Sequence, residues 1–292
     1  MTAELAFIEA LRRLATHPAA RGLADDAAVL PLGTETLVLT HDSMAEGVHW
    51  LAGQDPADVA WKLVAVNLSD LAAKGAEPLG VLLGYTLGQD DARFLAGLEE
   101  ALTTFKVPLL GGDTVSARPG GTQTHGLTAL GQATHCPVPS RSEAQIGDGV
   151  WITGPVGAAM LGFEALRDQT GADSSAFRRP VPLLAEGRAL APLVTAMMDV
   201  SDGLLLDASR LAKASGVTLS LDRAAVPIAT PEPRRDDALR WGDDYQLLFT
   251  LPTGIEPPCK AWKIGTVKAA TSAPVLLDEA PVSGPLGYLH GD

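Results

Sequence analysis

Six short acidic motifs hold the residues of this chain that are best suited to chemistry. Asp70 is the most informative of them, because it falls within an otherwise apolar predicted helix, where an unpaired charge would be costly. A carboxylate in such a position usually has a cation as its partner. Each motif sets aspartate beside small residues at a predicted strand or helix end: ADDAAVL (24–30), THDSMAEGVHW (40–50), NLSDLAAKGAEP (67–78), LLGGDT (109–114), DVSDGLLLD (199–207) and WGDDYQLL (241–248).

Together these aspartates indicate a site for hard cations. Magnesium takes oxygen ligands from carboxylates, hydroxyls and phosphates. The candidates are more numerous than one ion needs, so several ions and a polyphosphate would balance them. Each could instead be a cap or turn residue, and for Asp202 a role at a helix N-terminus is expected in any case. The candidate carboxylates are Asp25, Asp42, Asp70, Asp113, Asp199 and Asp202.

The other common site motifs are absent from the sequence. It has no GxxxxGK[ST] phosphate loop, no GxGxxG, no HExxH and no GxSxG. The turn TGPVG (153–157) could bind an anion through its amides, but we interpret it as a plain tight turn. The two cysteines, Cys136 and Cys259, provide neither a disulfide framework nor a zinc-site spacing.

Helical and extended patterns alternate along the chain, which favours an α/β architecture. A strong helix is predicted within 55–78, with Asp55 as its cap, and another within 201–216, closed by Gly216. Residues 185–195 are predicted to be helical, and 227–237 a proline-rich loop. The segment 135–149 lacks periodicity and is the candidate domain boundary. Strands are predicted at 34–42, 79–87, 106–114, 122–134 and 149–154, and later in VTLSLD, YQLLFTLP and AWKIGTVK.

Charge and hydropathy limit the partners of the protein. The chain has 22 Lys and Arg against 35 Asp and Glu, a formal net charge of −13, which argues against non-specific nucleic-acid binding. The first 17 residues form an amphipathic pattern rather than a signal peptide, and no apolar run could span a bilayer. We therefore expect a cytoplasmic protein without a membrane or nucleic-acid partner.

The motifs NLSDLAAKGAEP, GGDT, SDGL and WGDDYQLL, taken together, resemble the thiamine-monophosphate kinase family. That family belongs to a superfamily with aminoimidazole ribonucleotide synthetase and selenophosphate synthetase, and the match runs in order from about Asp25 to Leu248. The resemblance implies an α/β (α+β) fold of two domains. Residues 1–135 would form a mixed-sheet domain that binds metal and ATP and pairs with a second subunit in a homodimer. Residues 136–292 would form an α/β domain that completes the ATP and substrate sites.

The resemblance also implies an activity, the ATP-dependent phosphorylation of thiamine monophosphate to thiamine diphosphate, in thiamine biosynthesis. The acceptor phosphate is already anionic at neutral pH, so we expect direct in-line transfer without a dedicated base or a phosphoenzyme. The difficulty is repulsion between two polyanions, since each pair of unit charges at about 4 Å repels by about 4 kcal/mol at an effective dielectric of ~20. Several magnesium ions would remove that repulsion.

The family's site positions can be carried onto this sequence. The chain has Ala24 where the family has Gly, His41 where it has Thr, and Asp243 where it has Glu. Acceptor contacts fall on His49, Asp243 and Tyr288. Nucleotide contacts fall on Gly112, Asp113, Arg141 and Ser201. Metal positions fall on Asp25, Thr40, His41, Asp42, Asp70, Asp113, Asp199 and Asp202.

Two other functions remain open at this point. One is a different ATP-dependent synthetase of the superfamily, although WGDDYQLL and GVHW speak against it, and no cysteine precedes Cys136 to serve a selenophosphate synthetase. The other is a non-catalytic metal- or nucleotide-binding relative. The intact SDG, GGD and NLSD motifs argue against this relative, whereas Ala24 and His41 argue for it.

Overall fold

The first half of the chain forms a five-stranded mixed sheet with the strand order β1-β2-β5-β3-β4. The computed structural model describes residues 3–116 and 121–289. Strands β3 and β4 are parallel and the other neighbours are antiparallel. The elements are α1 (Ala3–Arg12), a 3-10 helix (Pro18–Leu23), β1 (Ala28–Leu32), β2 (Glu35–Ala45), α2 (Pro56–Ala73), β3 (Ala76–Leu87), α3 (Asp91–Phe105), β4 (Leu109–Ser116) and β5 (Thr124–Ala133).

Helix α2 lies at the centre of the molecule and is buried along nearly its whole length. The predicted cap is confirmed, because Asp55 accepts a hydrogen bond from the Ala57 amide at 3.0 Å. The helix ends before Gly75, whose φ of +59° turns the chain directly into β3. Strand β3 begins at Ala76, three residues earlier than the strand predicted at 79–87. One side of α2 packs on the first sheet, and its C-terminal end packs against the second sheet and a helix at Leu184–Leu190.

Strand β4 forms an exposed edge of the first sheet. Its apolar side chains are unusually open, with Leu110 56% and Val115 54% exposed, and Leu82 on neighbouring β3 is 41% exposed. Gly112 is required here, because a Cβ at this position would lie 2.0 Å from the Leu83 carbonyl oxygen. The edge therefore presents both apolar surface and unpaired backbone groups.

The second half of the chain forms a seven-stranded sheet with the order β12-β11-β8-β10-β6-β9-β7. Helix α7 closes at Gly216 in the left-handed conformation, as predicted. The elements are β6 (Gly149–Ile152), α4 (Ala158–Arg167), α5 (Ser175–Arg178), α6 (Leu184–Leu190), β7 (Ala196–Asp199), α7 (Leu204–Ser215), β8 (Val217–Leu221), a 3-10 helix (Glu232–Arg234), α8 (Arg235–Arg240), β9 (Leu247–Leu251), β10 (Trp262–Ala269), β11 (Val275–Leu277) and β12 (Ala280–Pro281).

Two predictions of local structure were wrong in this half. The helix predicted up to Thr195 ends at Leu190, because Pro192 has no amide hydrogen to continue it, and residues 196–199 pair with β9 instead. The proline-rich segment 227–237 is not only loop, since it contains a 3-10 helix and the start of α8. Arg235 anchors that start by donating to the Arg223 and Val226 carbonyls.

The predicted boundary at 135–149 falls in the segment between the two sheets, and a division into two domains there stays a prediction.

No helix in the described part of the chain is long and apolar enough to cross a bilayer.

Candidate active site

A cleft of about 1330 Å³ opens between the two sheets, on one face of α2. Lys62, Val66 and Asp70 all line it, because residues four apart lie on the same face of a helix. Asp42 of β2 lines the cleft from the first sheet, and Asp199 at the end of β7 lines it from the second. The fold thus gathers acidic motifs that are far apart in the sequence.

Three carboxylates meet at the deep end of the cleft. Asp26, Asp70 and Asp199 each offer an oxygen atom, and these atoms lie within 4.8 Å of one another. Residues near them on β2 and α2 hold two of the three in place, since Thr40 donates a hydrogen bond to Asp70, and Ser69 donates one to Asp199 at 2.6 Å. We call Asp26, Asp42, Asp70 and Asp199 the acidic cluster.

Burial and neighbouring negative charges disfavour the ionised form of the carboxylates in the cluster. Burial raises the pKa of Asp70 well above its usual value, and the charges of Asp42 and Asp199 raise it further. Burial, with a contribution from Asp26, raises the pKa of Asp199 to about 8. Burial also raises the pKa of Asp42 to about 6, although His41 opposes the shift. These carboxylates would be stabilised by cations in the cleft.

Asp25, the other aspartate of this motif, has different surroundings. Its two oxygens contact Lys74 Nζ and Arg21 Nη1, each at 2.5 Å. Burial alone would raise the pKa of Asp25, but Lys74 and Arg21 outweigh it and hold the pKa below the usual range. Asp26 also forms ion pairs, with Lys74 at 2.6 Å and with Arg141, but it offers an oxygen within 4.8 Å of those of Asp70 and Asp199. The predicted ligand Asp25 lies in its ion pairs beside this group.

Elsewhere in the cleft, the buried Lys62 and the partly exposed Asp243 form an ion pair of 2.9 Å. Lys62 also donates to the His49 carbonyl at 3.0 Å, and the Tyr245 hydroxyl donates to the other Asp243 oxygen at 2.9 Å. Burial lowers the pKa of Lys62, and Asp243 opposes that shift. The His49 Nδ1 accepts from the Ala45 amide at 3.0 Å, so the ring is oriented as well.

The SDG loop after β7 joins the two ends of the cleft. Asp207 accepts hydrogen bonds from the Ser201 and Asp202 amides, both at 3.0 Å. The loop carbonyls in turn accept from the Asp243 amide at 2.8 Å and the Tyr288 amide at 2.9 Å. The structure therefore brings four predicted residues together: Ser201, Asp202, Asp243 and Tyr288.

Asp202 lies at the N-terminus of α7, as expected, but its side chain does not cap the helix. Gly203 is the N-cap residue of α7, and no side chain caps that helix. The Asp202 carboxylate instead pairs with Arg210, two turns into α7, at 2.5 Å. Arg210 neutralises the Asp202 carboxylate, while Asp207 accepts hydrogen bonds from the loop amides.

Some predicted site residues are not brought to the cleft within this chain. Gly112 and Asp113 lie on the exposed strand β4 and are not among the described residues that line the cleft. The His41 side chain lies on the exposed face of the first sheet, where it hydrogen-bonds Thr128 at 2.9 Å and Ser43 at 3.2 Å. Their proposed roles stay predictions. Of the other nucleotide positions, Arg141 lines the cleft and pairs with Asp26 through Nε at 2.8 Å.

The turn TGPVG binds a group of the protein itself. Asp244 accepts hydrogen bonds from the Gly157 amide at 2.8 Å and the Ala159 amide at 3.4 Å. These amides are therefore occupied, in keeping with our interpretation of the segment as a structural turn.

The sequence reasoning missed Asp26, Lys62 and Lys74. Signals for all three were present. Asp26 directly follows Asp25, and Lys74 belongs to the same motif as Asp70. Lys62 lies eight residues before Asp70, on the same helical face. The lysines were passed over because lysine is normally a surface residue.

Known proteins share this sequence and fold. Residues 24–133 match the family model for the N-terminal domain of AIR synthase related proteins. Residues 145–275 match the family model for their C-terminal domain. A thiamine-monophosphate kinase of Escherichia coli K12 is 36% identical over 252 residues, which cover 79% of this chain and 76% of the relative. One from Caulobacter vibrioides is 37% identical over 279 residues, 88% of this chain and 77% of the relative.

A solved structure described as "AaThiL complexed with AMPPCP and TMP" superposes with a TM-score of 0.88. It is 27% identical and covers 98% of this chain and 96% of that chain. The order of the motifs, the fold and the sequence identity agree, and the chain belongs to the thiamine-monophosphate kinase family of AIR synthase related proteins.

Proposed function

We propose that this protein transfers the terminal phosphoryl group of ATP to thiamine monophosphate and forms thiamine diphosphate. The observation that carries the proposal is the placement of the acidic cluster and the Lys62–Asp243 pair on one helical face of one cleft. A cleft with a strongly acidic end and a charge-matched end suits two substrates of different chemistry, a polyphosphate that binds with metal ions and an organic cation. The complex of a family member with AMPPCP and TMP supports the same assignment.

Magnesium fits the acidic cluster. Asp26 offers an oxygen atom to the cluster, although Lys74 and Arg141 already pair with its carboxylate. Asp70 and Asp199 have no ion pair with any described residue, and their raised pKa values mark them as carboxylates short of positive charge. We propose Asp42, Asp70 and Asp199 as the central ligands, with Asp26 on the side of the cluster that Lys74 and Arg141 already neutralise. The predicted positions Asp25, Thr40, His41, Asp113 and Asp202 remain candidates for supporting roles.

Bound magnesium ions neutralise the phosphates and stabilise the charge that develops on the transferred group. The side chains then have to orient the two substrates. We propose that Arg141 and Ser201, with Gly112 and Asp113 of β4, contact the nucleotide. Because the acceptor phosphate is already anionic, the chain needs no dedicated base, and transfer is direct.

We propose that His49, Asp243 and Tyr288 recognise the acceptor. Thiamine carries a positively charged ring and an aminopyrimidine. A carboxylate can attract the positive charge or accept a hydrogen bond from the amino group. Lys62 and Tyr245 each hold one oxygen of Asp243, so its carboxylate is fixed before any ligand binds. A fixed carboxylate loses little conformational freedom on binding.

A homodimer in the cytoplasm completes the proposal. The exposed apolar residues Leu82, Leu110 and Val115 at the β4 edge need cover, and a second copy of the chain would supply it. Gly112 and Asp113 on the same strand would then lie at the interface. Sedimentation should give twice the chain mass of 30.3 kDa. A stable, active monomer would refute the dimer.

The activity is tested by incubating the purified protein with ATP, magnesium and thiamine monophosphate and detecting thiamine diphosphate. We expect product only when all three are present, and inversion at phosphorus with a chiral γ-phosphate. Retention would indicate a covalent intermediate on an aspartate. ATP turnover with a different acceptor would favour another synthetase of the superfamily, and nucleotide binding without turnover would favour a non-catalytic relative.

A further inference from the structure

Lys74, the last residue before the turn at Gly75, has no exposed surface. The backbones of α2 and α6 touch beside it: a Cβ on Gly187 would lie 2.0 Å from the Ala72 carbonyl oxygen, and one on Gly75 would lie 2.4 Å from the Ala191 Cβ. A buried ammonium ion is costly unless fixed negative charge surrounds it.

That negative charge comes from the two neighbouring aspartates at the start of β1. The Lys74 ammonium donates to Asp25 Oδ1 at 2.5 Å and lies 2.6 Å from Asp26 Oδ2, and it also donates to the Met197 carbonyl at 3.3 Å. The ammonium thus bridges two carboxylates as a bound metal ion would. Unlike a metal ion, it is permanently attached to the chain.

Positive charge is distributed unevenly over this end of the cleft. Lys74, Arg21 and Arg141 all pair with Asp25 or Asp26. Among the residues that the structure describes, no lysine or arginine pairs with the other members of the acidic cluster, which are Asp42, Asp70 and Asp199. One side of the cluster is therefore neutralised by the protein, and the other side is left to ions from solution.

We propose that Lys74 is a built-in cation that takes the place of one divalent ion at the Asp25–Asp26 side of the acidic cluster. The inference rests on the proposed function, because it requires magnesium to bind to the acidic cluster. Lys74 then directs the remaining ions toward Asp70 and Asp199, and Asp25 serves as its counter-ion. It acts on the reaction through those carboxylates, as a positioning residue.

The test counts metal ions directly, without turnover. Mn²⁺ is titrated into the full-length protein with AMPPCP present, and free Mn²⁺ is followed by electron paramagnetic resonance. The variants are Lys74→Met, which keeps the length of the side chain without its charge, and Lys74→Arg, which keeps the charge. Lys268→Met is the matched control, because Lys268 forms only a partly exposed pair with Glu279 on the second sheet.

We expect Lys74→Met to bind about one more Mn²⁺ per chain than the wild type, since two carboxylates lose their shared cation and a divalent ion replaces it. Its melting temperature should fall in EDTA and recover with Mn²⁺ more than that of the wild type. Lys74→Arg and Lys268→Met should keep the wild-type count.

An unchanged Mn²⁺ count in folded Lys74→Met would overturn the inference and leave the proposed kinase function standing. A Lys74→Met protein that stays unfolded even with saturating Mn²⁺ would also overturn it, because the replacement ion should restore the fold. A wild type that binds no Mn²⁺ would refute the magnesium site itself, and the inference with it.

Discussion

The two ends of the cleft face of α2 each involve a buried lysine, but in opposite electrostatic surroundings. Lys62, near the start of the helix, meets one carboxylate, Asp243, and one carbonyl, so its charge is matched within the protein. Lys74, just beyond its end, meets two carboxylates, and no lysine or arginine among the described residues pairs with Asp70 or Asp199 nearby. One end is complete as folded, and the other is short of positive charge.

The difference indicates how one rigid helix can serve two substrates of different chemistry. Twelve residues separate the lysines, which corresponds to about 18 Å of helix. The matched end can contact an organic cation without any metal. Under the proposed function, the unmatched end depends on ions that arrive with a polyphosphate. Substitutions at the two ends should therefore change different kinetic parameters.

The largest effect is expected at the unmatched end, from Asp70→Asn. Mutation of a residue that hydrogen-bonds to a metal ligand typically lowers metal affinity or activity by about 10- to 100-fold. Loss of a direct ligand should therefore lower kcat by more. Nucleotide binding should weaken as well, because the phosphates lose the ions that anchor them. Steady-state kinetics and AMPPCP titration with magnesium would measure both.

The fold should survive this substitution. Asp70 is buried beside other carboxylates that raise its pKa, so removing its charge relieves repulsion in the metal-free protein. Asp168→Asn, in an exposed pair with Arg167, provides a matched control that should leave the kinetics unchanged. Wild-type turnover by Asp70→Asn would mean that the cluster does not hold the catalytic metal.

The sequence predicted the elements better than the partners within the site. The periodicity and cap of α2 are local signals, and they identified both the helix and the unusual position of Asp70. Similarly, apolar runs located β2, β3 and β5. Strand β7 was missed, because four residues after a short helix carry too little periodicity to be recognised.

Pairings between distant residues were beyond the reach of local patterns. Lys62 and Asp243 are 181 positions apart, and Lys74 lies 49 positions from Asp25. Nothing near Lys62 indicates whether its ammonium reaches solvent or a carboxylate, since that depends on how the two sheets close over α2. The motifs could indicate an acidic site, but the distribution of cations within it required the fold.

A smaller and more selective effect is expected at the matched end, from Asp243→Asn. The substitution removes a charged hydrogen-bond acceptor, worth about 1.5–3 kcal/mol, so the KM for thiamine monophosphate should rise by about tenfold or more. The KM for ATP should change far less, because the nucleotide is proposed to bind at the other end. Separate titration of each substrate would distinguish the two.

Asp243→Glu is the conservative partner of that test. It keeps the charge and restores the residue that the family carries, so we expect a mild effect on both KM values. The acceptor assignment would be wrong if the Asn variant lost ATP affinity instead. Unfolding of that variant would assign Asp243 a purely structural role as the counter-ion of Lys62.

A last effect at the unmatched end concerns stability and its pH dependence rather than kinetics. In the folded, metal-free protein the pKa of Asp199 is raised from 3.8 to about 8 by burial and by Asp26. Between these values the folded state keeps a proton that the unfolded state has lost, so this group lowers the free energy of unfolding as pH rises. The slope for one such proton is at most about 1.4 kcal/mol per pH unit.

Asp199→Asn should remove that slope. Urea denaturation in EDTA at several pH values from 5 to 8 would compare the variant with the wild type, with Asp168→Asn as the exposed control. We expect the stability of Asp199→Asn, relative to the wild type, to increase steadily toward pH 8. Adding magnesium at pH 8 should reverse the order, because an ion that binds only the folded state stabilises the protein that still has its ligand. Parallel pH profiles in EDTA would show that Asp199 is already charged in the folded protein, and that the two ends of α2 differ less than their contacts indicate.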